Sequence, residues 1–314
     1  MSYEYASHFA ENLIIYTEYL RKHRRDIRPI INLLNAFDRY CVEINYRAKL
    51  TQDLLMEYSQ RGGVSLMTQG SRYRAVRDFY RFCALEDDSL LEIMTMPLAG
   101  KKLRHNAYIY TEDEILQLMI SPAWTMPWDK ILLTRWQCLI GLLACTGLRI
   151  GEAIQLNIDD IDWKKKTLFI KDSKFGKSRI IPIHASLLNA FSVYLRFRVQ
   201  PVESNCNALF TSGKGGRYHC SSVEMLFRKV ATKAKIGEGK TPVPRIHDLR
   251  HTFAVRTVLN WYKQGVDVNN EILTLSTYLG HAHYEDTIYY LESSSEILYE
   301  TANKFRFPGG NHEN

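Results

Sequence analysis

No run of the chain is apolar for the length needed to cross a bilayer, which argues against a membrane-spanning helix. The start, Met1-Ser2-Tyr3-Glu4-Tyr5, lacks the basic-then-apolar profile of a secretory signal, so the protein is expected to stay where it is made. Six cysteines, at 41, 83, 138, 145, 206 and 220, include no CxxC pair and no histidine at zinc-site spacing. They are expected to be reduced and mostly buried, and no metal is expected. Gly213-Lys214-Gly215-Gly216 lacks the spacing of a phosphate-binding loop and the Ser/Thr that should follow its lysine, so it reads as a turn. Asp159, Asp160 and Asp162 are close together but read as a charged turn, not as the carboxylate set of a two-metal nuclease. Internal repeats and low-complexity tracts are also lacking.

What is present is a 314-residue chain, long enough for two domains, with the hydrophobic share (46%) and charged share (24%) of a soluble globular protein. Its net charge of +7 leans toward a polyanionic partner, although charge alone moves that expectation only modestly.

Residues 1–100 read as four or five helices, from apolar residues at helical spacing such as Leu13, Tyr16, Leu20 and later Tyr73, Val76, Tyr80. Thr51 before Asp53 and Leu54 marks one helix start. Arg72, Arg74 and Arg77 punctuate the last of these helices. They read either as a solvated face or as groups that approach DNA phosphates, with little to choose between the two. Pro97, Gly100 and the basic residues Lys101, Lys102 and Arg104 break the pattern, so 101–110 reads as a linker, and a basic linker can also follow a duplex backbone. The second domain, 111–314, opens on the N-cap Thr111 with Glu112, Asp113 and Glu114 in the first turn. An apolar helix over 131–145 is followed by strands over 162–171 and 178–183 around a turn at 172–176, then by further helices. The fold class expected is mainly α with a small antiparallel β-sheet in the second domain.

Four short motifs carry chemistry. They are Thr146-Gly147-Leu148-Arg149-Ile150-Gly151-Glu152, His247-Asp248-Leu249-Arg250-His251, Leu279-Gly280-His281, and Tyr290 nine residues beyond His281. Arg149 and Arg250 suit a phosphodiester because a guanidinium keeps its charge and presents paired donors to phosphate oxygens. The bland alternative for Arg149 is an ion pair with Glu152, three residues on. His247 and Arg250 share a helix face, and His281, after a helix-ending glycine, is placed to donate to a phosphate oxygen. His251 reads as a packing residue. A tyrosine hydroxyl, with a pKa of about 10, needs cationic neighbours to become a nucleophile. Tyr289 is the rival to Tyr290, and only the spacing from His281 separates them. A departing 5′ oxygen needs a proton, and Lys171, Lys174 and Lys177 flank the turn that could bring one. Lys174, at its middle, is the choice for general acid, with Lys171 and Lys177 meeting the DNA backbone.

From about Thr111 to Leu291 these residues closely resemble the tyrosine recombinase/integrase family. The first motif is similar to its first arginine box, the second to its His-x-x-Arg box, Leu279-Gly280-His281 to its third box, and Tyr290 to its nucleophile. Lys174 corresponds to the hairpin lysine and Glu152 to the acid that supports the first arginine. The resemblance implies a two-domain clamp on double-stranded DNA and a 3′-phosphotyrosyl intermediate that needs no metal or nucleotide cofactor. Exchange would proceed through a Holliday junction on a homotetramer spanning two sites, with or without a partner recombinase. It places the protein in a bacterial cytoplasm, on the nucleoid when bound, and suggests a simple or transposon-borne recombinase over a phage integrase with long arm sites. The alternatives are a type IB-like topoisomerase using the same chemistry, and a DNA-binding accessory or regulatory protein.

Overall fold

The computed structural model describes residues 3–23, 27–84, 107–121, 129–171, 178–199, 207–281 and 287–288. They fall into two compact units, 1–104 and 105–314. Lys101, Lys102, Lys174, Lys177, Tyr289 and Tyr290 lie outside the described residues.

The first unit contains α1 (Ala10–His23), α2 (Arg28–Glu43), α3 (Gln52–Gln60) and α4 (Leu66–Ala84). The Thr51 hydroxyl accepts from Leu54 N at 3.2 Å, satisfying one of the orphan donors that open α3. On α4, Tyr73, Val76 and Phe79 are buried among Leu13, Phe37 and Leu55 of the other helices, as their 3.6-residue spacing requires. Asp38, fully buried on α2, accepts from Tyr3 Oη, Ala6 N and Ser7 N and so ties down the start of the chain.

In the second unit, Tyr108 and Tyr110 were expected in a linker but are core residues. Tyr110 N donates to Thr252 Oγ1 at 3.0 Å and its hydroxyl to Arg245 O at 2.9 Å, so the segment before the Thr111 cap is held by partners far along the chain. Helix α5 (Glu112–Ile120) starts with a capping box, Thr111 Oγ1 accepting from Glu114 N and Glu114 accepting from Thr111 N. Helix α6 (Lys130–Thr146) is the central element and packs against α5, α8 (Ala185–Phe197) and α10 (Asp248–Lys263). Its Leu139, Ile140 and Leu142 are fully buried, each contributing about 2 kcal/mol of transfer free energy. Trp136 Nε1 donates to Leu118 O at 2.6 Å, so the indole is buried with its polar atom satisfied. The remaining helices are α7 (Ile150–Gln155), α9 (Cys220–Lys233) and α11 (Val268–Leu279).

The sheet is a three-stranded antiparallel meander, β1 (Ile161–Asp162), β2 (Thr167–Ile170) and β3 (Arg179–Pro182). The single strand expected over 162–171 is divided by a tight turn. Asp162 Oδ1 accepts from Lys164 N and Lys165 N, and Lys166 has φ +55, a side-chain-stabilised reversal that extended pairing would not allow. Leu168 pairs with Ile181 and Ile170 with Arg179. Leu168, Ile170 and Ile181 face the core, so Arg179 stands on the inward face as well.

Among the described cysteines, Cys41 and Cys138 are buried, Cys83 and Cys220 half-buried and Cys145 exposed, so the expectation of mostly buried thiols is too strong. No helix among the described residues is long and apolar enough to cross a membrane.

Candidate active site

Two glycines build the site. Gly147 ends α6 with φ +61 and Gly280 ends α11 with φ +68, left-handed caps that turn the chain sharply away from a helix axis. A Cβ on Gly147 would stand 2.5 Å from Phe253 Cδ1, and one on Gly280 would stand 2.9 Å from an Arg179 guanidinium nitrogen. Both turns therefore allow close approach by neighbours as well as a special backbone angle.

Three guanidiniums meet at the end of α11 and each takes one of three successive carbonyls. Arg179 Nε donates to Tyr278 O at 2.8 Å, Arg250 Nη2 to Leu279 O at 2.7 Å, and Arg149 Nη2 to Gly280 O at 3.2 Å. These are the carbonyls a helix leaves without internal partners, at the negative end of its dipole. Arg250 also donates through Nη1 to Gly147 O at 2.8 Å, so one buried side chain joins the two glycine caps.

Glu152 lies beneath the cluster. Its carboxylate accepts from Arg149 N at 3.0 Å and Arg149 Nη1 at 2.9 Å, and from both terminal nitrogens of Arg179 at 3.1 and 2.9 Å. Burial alone would raise its pKa, but the hydrogen bonds and charge of Arg179, and then those of Arg149, hold it below the ordinary carboxylate range. The ion pair expected as the bland reading of Arg149 is thus real. It leaves the Arg149 side chain 22% exposed, against 7% for Glu152 and 12% for Arg179, so Arg149 is the most open guanidinium of the ion-paired trio.

His247, at the start of α10, packs edge-to-face on buried His251, with ring centroids 5.3 Å apart. His281 Nδ1 lies 2.6 Å from the hydroxyl of buried Thr287. Burial and then the positive charges of Arg250 and Arg149 push His281 down to about 3, and burial with His247, Arg245 and Arg250 pushes His251 down to about 3. His247 is lowered by the same causes, but it keeps an exposed edge where water screens part of the effect. At neutral pH the site is three guanidiniums, one carboxylate and three uncharged imidazoles, an excess of two positive charges suited to an anion.

The structure brings together Arg149, Glu152, His247, Arg250 and His281 from segments far apart in sequence. Lys171 is described and lies 2.6 Å from Asp160 Oδ1, an ion pair at the sheet. On the first unit, Arg72 donates to Arg61 O and lies over the Tyr58 ring, Arg77 pairs with Asp78 at 2.9 Å, and Arg74 is exposed. Arg179 was not singled out from the sequence. A signal was available, because alternation from Ile181 puts a charged residue on the core face of a short strand.

A mainly helical domain with a three-stranded meander, whose helix ends converge on an arginine-histidine anion site, defines the class. The phage integrase family model matches residues 109–296, and the chain belongs to that family, the tyrosine recombinases. It is 32% identical over 278 residues to the Sinorhizobium fredii protein y4rE, which carries an integrase/recombinase name, covering 88% of this chain and 89% of the relative. It is 30% identical over 220 residues to the tyrosine recombinase XerD of Mycobacterium tuberculosis, covering 69% of this chain and 66% of that one. Among solved structures, the XerA recombinase is similar with a TM-score of 0.51 at 26% identity, over 95% of this chain and 98% of that chain. A lambda integrase dimer bound to a COC′ core site shares the fold with a TM-score of 0.64 at 16% identity, over 87% of this chain and 95% of the other.

Proposed function

We propose that the protein is a site-specific recombinase that cuts and rejoins double-stranded DNA through a 3′-phosphotyrosyl intermediate and a Holliday junction. The observation that carries this reading is the convergence of Arg149 and Arg250 on the two glycine caps, with His247 and His281 within reach of their charges and Glu152 fixing Arg149 from below. A scissile phosphate meeting this site finds fixed positive charge and ring N–H donors where charge develops in the transition state. The histidines, neutral without DNA, gain a favourable partner in the phosphate.

In the cleavage step the Tyr290 oxygen forms a bond to phosphorus while the bond from phosphorus to the 5′ oxygen breaks. The tyrosine proton passes to a neutral imidazole of the site, His281 or His247, and Lys174 supplies a proton to the departing oxygen. One phosphate ester replaces another, so attack by a 5′ hydroxyl of the partner strand reverses the step. Rejoining to a different strand gives exchange, for which a homotetramer on two sites is the assembly proposed, with or without a second recombinase. The helical first unit, with Arg72, Arg74 and Arg77, would bind one side of the core site, and Lys101, Lys102, Lys171 and Lys177 would meet the duplex backbone. The relatives support this reading: XerH and lambda integrase have structures bound to DNA substrates.

The test is a nicked suicide duplex, drawn from DNA flanking the gene, incubated with the protein in chelator and followed by peptide mapping. The expected adduct is a 3′-phosphate on Tyr290. Tyr290→Phe should still shift the duplex in a gel while forming no adduct. An adduct that persists in that variant, or maps to Tyr289, would overturn the choice of nucleophile.

A further inference from the structure

Arg179 has no role in the chemistry described so far, yet it is the most fully engaged side chain at the site. Its Nε donates to Tyr278 O at 2.8 Å, and its two terminal nitrogens donate to the two oxygens of Glu152 at 3.1 and 2.9 Å. The fork on the carboxylate is the parallel two-bond geometry in which arginine is strongest and most directional. The same Glu152 oxygens receive Arg149 through its main-chain nitrogen and Nη1. The glycine at 280 leaves room for the fork, since any Cβ there would stand 2.9 Å from it. Arg179 begins β3, five positions after Lys174 and two after Lys177 in the sequence.

We propose that Arg179 is a positioning residue for strand cleavage, one that clamps Glu152 against the end of α11 and thereby fixes the Arg149 guanidinium at the scissile phosphate. With all three kinds of guanidinium nitrogen directed at protein acceptors, Arg179 acts through Arg149. A lysine cannot replace it, because a single ammonium cannot span both carboxylate oxygens and the Tyr278 carbonyl. Without the clamp, the Glu152 carboxylate swings and Arg149 samples orientations that no longer meet the developing charge, a loss in the reaction step more than in binding.

This inference rests on the recombinase reading, and the experiment separates the two. Arg179→Lys and Arg179→Ala are compared with wild type in single-turnover cleavage of a suicide duplex, once with an ordinary scissile phosphate and once with a methylphosphonate there. The methyl group removes the charge that Arg149 neutralises. The expected result is a roughly 10- to 100-fold slower cleavage of the phosphodiester, in the range of losses for displaced transition-state donors, with only a few-fold loss on the methylphosphonate. Arg149→Ala/Arg179→Ala should be no slower than Arg149→Ala. An equal loss on both substrates, or losses that multiply in the double variant, would overturn the proposal. If wild type forms no adduct, the recombinase reading fails on its own. The positioning claim is then decided by the Arg149 side-chain Nε–Hε resonance, assigned by its disappearance in Arg149→Lys. It should shift or broaden in Arg179→Lys at a temperature where both proteins are folded by circular dichroism, and an unchanged resonance would reject the clamp.

Discussion

Arg149 and Arg250 carry the same group into different surroundings, and the difference predicts different consequences. Arg250 is 1% exposed and joins two helix-end carbonyls, so Arg250→Lys leaves at least one buried carbonyl without its donor. The cost expected is roughly 2–3 kcal/mol. Arg149 lies nearer the surface, and its replacement by lysine keeps a cation beside Glu152. Arg149→Lys should therefore slow cleavage with little change in Tm, whereas Arg250→Lys should lower Tm by several degrees before activity is considered. Calorimetry on the two variants checks this, and a larger Tm drop for Arg149→Lys would contradict the assignment of Arg250 as the tie between caps.

At the scale of elements, the first arginine motif holds two glycines with opposite requirements. Gly147 has a left-handed backbone and a close neighbour in Phe253, while Gly151 lies inside α7 with nothing within 4 Å of an added Cβ. Gly147→Ala should cost about 1 kcal/mol for the backbone alone and more for the displaced ring, and Gly151→Ala should stabilise by up to about 1 kcal/mol. Urea unfolding of the two variants should move the midpoint in opposite directions. Helix α6, the Thr111 N-cap with its acidic first turn, and the helix end before His281 were legible in sequence because each is written in adjacent residues. Arg179 was harder to see because its partners lie 27 and 99 positions away and its inward direction depends on strand pairing. Tyr108 and Tyr110 were misassigned to a linker for the same reason, since Thr252, 142 positions on, is what holds Tyr110. The division of 162–171 into two strands turned on Asp162 capping its own turn, a local competition that alternation alone does not reveal.

For the whole molecule, the depressed histidines couple folding to pH. Their folded values lie below the unfolded value of about 6.5, so the unfolded chain binds more protons as pH falls below that point. The stability they contribute is complete above about 6.5 and is lost progressively toward about 3. Glu152, also lowered, adds to the loss only in the ordinary carboxylate range, and Asp248, raised by burial, opposes it as a single group. Without DNA, Tm should fall steadily between pH 7 and pH 5, before most carboxylates titrate, and His281→Asn should flatten that slope. A Tm constant across this interval would show that burial and the guanidiniums do not hold the imidazoles neutral.

The three carbonyls at the end of α11 belong to the main chain, and every amino acid supplies the same carbonyl. The grip on Arg179, Arg250 and Arg149 is therefore indifferent to which side chains stand at 278 and 279, provided Leu279 stays apolar for its own core. Position 280 alone is constrained directly, by what it must lack. Apolar changes at 279 and changes at 278 would accordingly keep the carbonyl contacts, whereas any side chain at 280 would displace them, a pattern set by a surface made of backbone.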